Sequence, residues 1–161
     1  MGSGVSKPGL IVLLAFLAPQ TLHAACAPGT LEVRTTGGVA RFGVEIADEP
    51  AEQAQGLMYR EKMAASAGML FVFPNPRRTS FWMKNTFLPL DMIFADSAGR
   101  VTRVHEGAVP GDLTGIDSGP DVRFVLEINA GLSARMGIAP GAVLRHPSVD
   151  AAGQAVWPCT P

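Results

Sequence analysis

Apolar and polar residues alternate through 122–128. Val122, Phe124, Leu126 and Ile128 share one side, and Arg123 and Glu127 share the other. A period of two is the pattern of a strand with one buried face, so the first set is expected to point in and the second out. Residues 31–36 and 39–46 repeat this alternation around Gly37-Gly38, which predicts a hairpin with Phe42, Val44 and Ile46 on one face and Arg41 and Glu45 on the other. Asp48-Glu49-Pro50 opens a short helix reaching about Met58, with Pro near its first turn and Glu52 placed to complement its N-terminus. Residues 69–73 are continuously apolar between Gly68 and Pro74, as a central buried strand would be. Further strands are expected at 80–84, 92–95, 100–106 and 142–144, and a second short helix is expected from an Asn129 cap to Gly137. The tally predicts a mainly β fold: a compact β-sandwich or barrel-like single domain with two short helices.

The first 25 residues do not fit that domain. Lys7, an apolar run over 10–17 and the small residues Ala24-Ala25 follow the order of a secretory signal peptide. The run is too short to span a membrane, which takes about 20 residues. A lipoprotein anchor on Cys26 is disfavoured, because Leu22 lies one place too far upstream and His23 occupies the position a lipobox gives to leucine. Residues 1–25 are therefore read as a signal peptide and residues 26–161 as one domain, periplasmic or secreted, with no membrane-spanning segment after processing. In such a compartment Cys26 and Cys159, the only cysteines, are expected to form a disulfide joining the termini. A net charge of −1 with scattered basic residues offers no face for nucleic acid. The 18 glycines and 13 prolines fall mostly between short apolar runs, which argues for many turns.

Chemistry concentrates between two of the strands. Residues 80–91 hold Trp82, Lys84, Asn85, Thr86 and Asp91 among apolar neighbours. Two apart on a strand, Trp82 and Lys84 would emerge on one face, an aromatic plate beside a cation with Asn85 and Thr86 at its end. That arrangement suits a small polar or anionic ligand. The competing reading is an internal clip in which Lys84 pairs with Asp91 and locks the intervening loop. Arg60 suits bidentate recognition of an anion, or an ion pair with Asp91 or Glu127. Asp91 with Glu127 could make an acid–base couple for a hydrolase or lyase. No metal-ligand spacing is present, and no cofactor is indicated. Asp112, Asp117 and Asp121 do not match a calcium loop. Met58, Met63, Met69, Met83 and Met92 could bind copper(I) as exported methionine clusters do, but within apolar strands they read better as core filling.

Several ordered blocks resemble the domain of unknown function 192 family. They are Gly56-Leu-Met-Tyr-Arg60, Gly68-Met-Leu-Phe-Val-Phe73, Phe81-Trp-Met-Lys-Asn-Thr86, Pro89-Leu-Asp-Met-Ile-Phe94, Val125-Leu-Glu-Ile-Asn-Ala-Gly131, Gly137-Ile138 and Pro140-Gly141. The resemblance implies a compact, β-rich, often exported domain and no established activity. The segment 110–120 looks less family-like than its flanks. The expectation is a monomeric envelope module in which Arg60, Trp82, Lys84, Asn85, Thr86 and Asp91 line a ligand cleft. The alternatives are catalysis by Asp91 and Glu127, or capture of an envelope protein through the loop 107–121.

Overall fold

The computed structural model describes residues 1, 2 and 26–159. The expected signal peptide, apart from its first two residues, lies outside the described residues. The elements run β1 (Thr30–Thr35), β2 (Gly38–Ala47), α1 (Pro50–Gln55), β3 (Ala67–Arg77), β4 (Ser80–Phe81), β5 (Leu90–Ala95), β6 (Val101–Ala108), β7 (Ile116–Asp117), β8 (Val122–Asn129), α2 (Leu132–Met136), β9 (Val143–Arg145) and α3 (Pro147–Asp150). Seven strands form one sheet in the order β6-β5-β8-β3-β2-β1-β9, while β4 and β7 pair in a separate ribbon. Only β2 and β3 pair in parallel; the other neighbours are antiparallel.

The mainly β expectation holds, as a sheet curled into a half-barrel. Its two ends meet where Arg100 bridges Val143, with Val101 N–H donating to the Ala142 carbonyl at 2.8 Å and Leu144 N–H to the Gly99 carbonyl at 2.8 Å. Gly99 permits that closure. Its φ is +77°, and a Cβ there would lie 2.8 Å from Val149 Cγ1 and 2.9 Å from the Leu144 carbonyl oxygen.

Curling gives the sheet two buried faces. Phe42, Leu70, Ile93, Phe124, Leu126 and Leu144 fill the inside. Met69, Phe71, Met92, Phe94 and Val125 form a second cluster on the outside, covered by Leu57, Met83 and Leu88 from the connecting segments. Burial on both sides is why residues 69–73 and 92–95 read as unbroken apolar runs. It also corrects the expectation for Glu127, which does not point to solvent but is only 4% exposed on the covered outer face. Alternation separates the two faces of a strand without saying which is wet.

Other departures are local. The hairpin pairs Thr35 with Gly38, so its two-residue turn is Thr36-Gly37 rather than Gly37-Gly38. The expected strand 80–84 stops at Phe81, because its only partner is the two-residue β7. Helix α1 ends at Gly56, whose φ of 50° breaks the helical path, and the Glu52 carboxylate accepts the Asp48 and Glu49 N–H groups at its start. Asn129 does not cap α2: its amide donates to the Met63 and Ala64 carbonyls, and Gly131 takes the cap position. A third short helix, α3, was not expected, and His146 caps it by accepting Ser148 N–H at 3.0 Å.

The two cysteines are joined as expected. Cys26 and Cys159 form a disulfide with Cα atoms 5.2 Å apart, across 133 positions of sequence. Arg145 reinforces the closure, pairing with Glu32 at 2.9 Å and donating to the Pro158 and Cys159 carbonyls. Among the described residues no helix is long and apolar enough to cross a membrane.

Candidate functional site

The segment after β4 turns instead of continuing as a strand. Met83 is buried and anchors it: Met83 N–H donates to the Asp112 carbonyl at 2.8 Å, and its carbonyl accepts Gly111 N–H at 3.0 Å and Thr86 N–H at 3.1 Å. Residues 82–87 are thereby laced to residues 109–113. Trp82 and Lys84 do lie together, with the ammonium 5.1 Å from the ring centroid, but a turn rather than strand alternation unites them. No carboxylate is paired with Lys84 among the described residues, so the expected Lys84–Asp91 clip is absent.

Asn85 and Tyr59 form the tightest feature of this region. Both adopt left-handed backbone conformations, with φ of 54° and 64°. That region is sparsely populated by residues other than glycine, and Asn tolerates it better than Tyr. Reciprocal hydrogen bonds hold the pair: Tyr59 N–H donates to the Asn85 carbonyl and the Asn85 amide donates to Tyr59 Oη, each at 2.8 Å. The clamp leaves Tyr59 63% exposed, edge-on to the exposed Phe87 at 6.4 Å between ring centroids. Trp82, Val109 and Leu113 are exposed on the same two laced segments. Lone exposed apolar residues are ordinary, whereas a gathered set marks a contact surface.

Two clefts flank the turn. Lys84, Asn85, Thr86, Phe87, Pro110, Gly111 and Leu113 line one of about 480 Å³. Trp82 lines the other, of about 570 Å³, with Phe73, Phe81, Arg77, Gln53 and Asp48. Both volumes fall in the range of small-molecule sites. Thr86 is buried and donates to the Lys84 carbonyl at 3.2 Å, which shapes the turn. Arg77 stacks its guanidinium 4.2 Å from the centroid of Phe73.

Arg60 and Asp91 line neither cleft, so the six expected residues do not share one site. Arg60 makes a bidentate pair with Glu45. Its bonds hold the Glu45 carboxyl below the usual carboxylate range, with burial opposing. The partner is therefore neither Asp91 nor Glu127. Asp91 is fully buried and accepts Ser133 Oγ–H at 2.6 Å, Ser133 N–H at 2.9 Å and Gly107 N–H at 2.9 Å. Burial pushes its carboxyl up, but these bonds outweigh that and leave it below its ordinary value. It is a clip between β5, β6 and α2.

The acid–base couple also comes apart. Met92 is the direct partner of Glu127 and Asp91 the partner of Ile128, so the two carboxylates point to opposite faces of the sheet. Burial alone raises the Glu127 carboxyl to about 8, and no hydrogen-bond or ion-pair partner meets it among the described residues. Asp112 accepts Thr114 N–H, while Asp117 pairs with Arg78 at 2.6 Å and lies 3.8 Å from Arg103. No group of three His, Cys, Asp or Glu side chains that could hold a metal occurs among the described residues.

The model of the domain of unknown function 192 family (DUF192, Uncharacterized ACR) matches residues 31–146. The chain belongs to this family. No curated protein matches it. Among solved structures, a Sinorhizobium meliloti 1021 protein described as a candidate transcription regulator is 44% identical, covering 75% of this chain and 95% of that one with a TM-score of 0.71. A protein of unknown function from Novosphingobium aromaticivorans DSM 12444 is 38% identical, covering 79% and 98% with a TM-score of 0.72. This DUF192 chain thus shares its fold with uncharacterised relatives. Sequence reasoning missed Tyr59, Phe87 and Leu113. Tyr59 sits inside a family-like block, and an aromatic beside Arg60 in a polar stretch was the available signal.

Proposed function

We propose that this DUF192 protein is a binding module of the cell envelope, exported by its N-terminal segment. Its ligand is a small amphiphilic anion, held in the cleft beside Lys84 and Asn85. The observation that carries this reading is the Tyr59–Asn85 clamp. Two left-handed residues cost on the order of 1–3 kcal/mol each, and here they keep aromatic side chains in water beside a cation that no carboxylate among the described residues neutralises. Phe87 and Leu113 of the cleft receive the apolar body, with Tyr59, edge-on to Phe87, and Trp82, beside Lys84, extending that apolar surface; Lys84 receives the anionic group; Asn85 orients it. The Sinorhizobium relative is described as a candidate transcription regulator; acting on DNA directly would need a clustered basic face. Arg41, Arg60, Arg78 and Arg145 are each engaged with a carboxylate instead.

Amide chemical-shift mapping with monomeric dodecyl phosphate tests the assignment. Shifts confined to residues 59, 82–87 and 109–113, and lost in a folded Trp82→Ala/Lys84→Ala variant, are expected. Equal binding by that variant would sink the proposal. A second reading replaces the small molecule by an envelope protein on the same surface, because the loop 107–121 is hydrogen-bonded to Met83 within it. Deleting residues 110–115 would then abolish partner cross-linking while dodecyl phosphate produced no shifts.

A further inference from the structure

A row of side chains crosses the covered outer face of the sheet. Strand register sets Met69 of β3 directly opposite Glu127 of β8, and Glu127 directly opposite Met92 of β5. Direct cross-strand partners have Cβ atoms about 5 Å apart on one face, so two methionine side chains flank the Glu127 side chain, one on each side. All three residues are buried, and Glu127 lacks a partner among the described residues. Core filling accounts for the methionines. It does not account for a carboxyl between them that meets no protein partner among the described residues, where an apolar side chain would be cheaper to cover.

We infer that Met69, Glu127 and Met92 form a buried site for a soft monovalent cation, Cu(I), with Ag(I) as its redox-silent probe. Thioethers favour soft ions over sodium, magnesium or calcium. A single positive charge on a single carboxylate leaves the apolar cluster neutral, which a divalent ion would not. Methionine side chains are flexible enough to turn their sulfurs towards Glu127 without moving a strand. Loading displaces one proton: the neutral carboxyl and M⁺ become a carboxylate–M⁺ pair and a free H⁺, and no electron moves. The other charged or titratable groups around this face include Glu45, paired with Arg60 beyond Met69, His105 beyond Met92, Arg77 over Phe73, Arg103 near Asp117 and Arg123 towards the far end of β5 and β8, and Lys84 over Trp82 on the covering segment. With Cys26 and Cys159 joined, the described residues hold no free thiol to compete.

The full oxidised chain is titrated with Cu(I) against bathocuproine disulfonate, and with Ag(I) by native mass spectrometry. One ion per chain is expected, with affinity rising about tenfold per pH unit between about pH 6 and 8 as one proton is displaced. Glu127→Gln should lose that slope, and His105→Gln should keep it. The near-isosteric Met69→Leu/Met92→Leu double variant should bind at least about a hundredfold more weakly while unfolding normally. X-ray absorption of the loaded wild type, which needs no variant, should show sulfur scatterers. Failure to compete with the chelator, nitrogen and oxygen ligands only, a slope that follows His105, or undiminished binding by the folded double variant would each overturn the assignment.

Discussion

Replacing Glu127 by Gln should make the metal-free protein more stable at neutral pH, although Glu127 is a buried residue in the middle of the sheet. Burial raises the Glu127 carboxyl from 4.5 to about 8. A raised folded-state value means that the native protein holds a proton the unfolded chain gives up. The stability this group allows is fully present below pH 4.5 and is lost as pH rises through about 8. The shift corresponds to about 5 kcal/mol across the window, and about 3 kcal/mol of it is already lost at about pH 7. Gln is neutral throughout and close in shape to the protonated acid. Wild type and variant should therefore be nearly equal near pH 4.5 and diverge by about 3 kcal/mol at about pH 7. Urea unfolding of both proteins across that range, with the difference taken at each pH, measures the effect and cancels other titrating groups. A difference that stays flat with pH, or a variant less stable at neutral pH, would refute the reasoning and imply an ionised, partnered carboxylate.

Three further outcomes follow from the packing. Gly68→Ala should cost about 1–3 kcal/mol in urea unfolding, because its Cβ would lie 2.6 Å from the Glu127 carbonyl oxygen and 3.0 Å from Ile128 Cγ2 in the adjacent strand. Desolvation lowers His146 below 6.5 despite its bond to the Pro28 carbonyl at 2.7 Å; stability from this group is present above that pH and lost as pH falls, so His146→Asn should flatten the acid limb of the stability profile. Asn85→Ala should cost about 1–2 kcal/mol of thermal stability, whereas Asn85→Gly should recover the backbone part alone, since glycine accepts a φ of 54° but cannot reach Tyr59 Oη.

The chain made most strands readable, because short apolar runs between glycines and prolines have few other uses. The parity of β8 was also legible, with Phe124, Leu126 and Ile128 on the inner face. What the parity could not convey was a second layer: loops carrying Leu57, Met83 and Leu88 cover the outer face, and covering is a tertiary event with no local period. The site was legible in place but not in wiring. Trp82 and Lys84 meet through a turn. Asp91 finds Gly107 and Ser133, 16 and 42 positions away, and Arg60, in the connection between α1 and β3, finds Glu45 on β2. Long-range pairings of this kind follow from register, which one sequence does not print.

The central claim is that the surface held open by Tyr59 and Asn85 carries a ligand. Native mass spectrometry of the protein, exported to a bacterial periplasm and purified gently, tests it most directly alongside Trp82→Ala/Lys84→Ala. A reproducible added mass on the wild type that disappears from the folded double variant is expected. The same added mass on both proteins, or a wild type that stays bare when offered an envelope lipid extract, would contradict it.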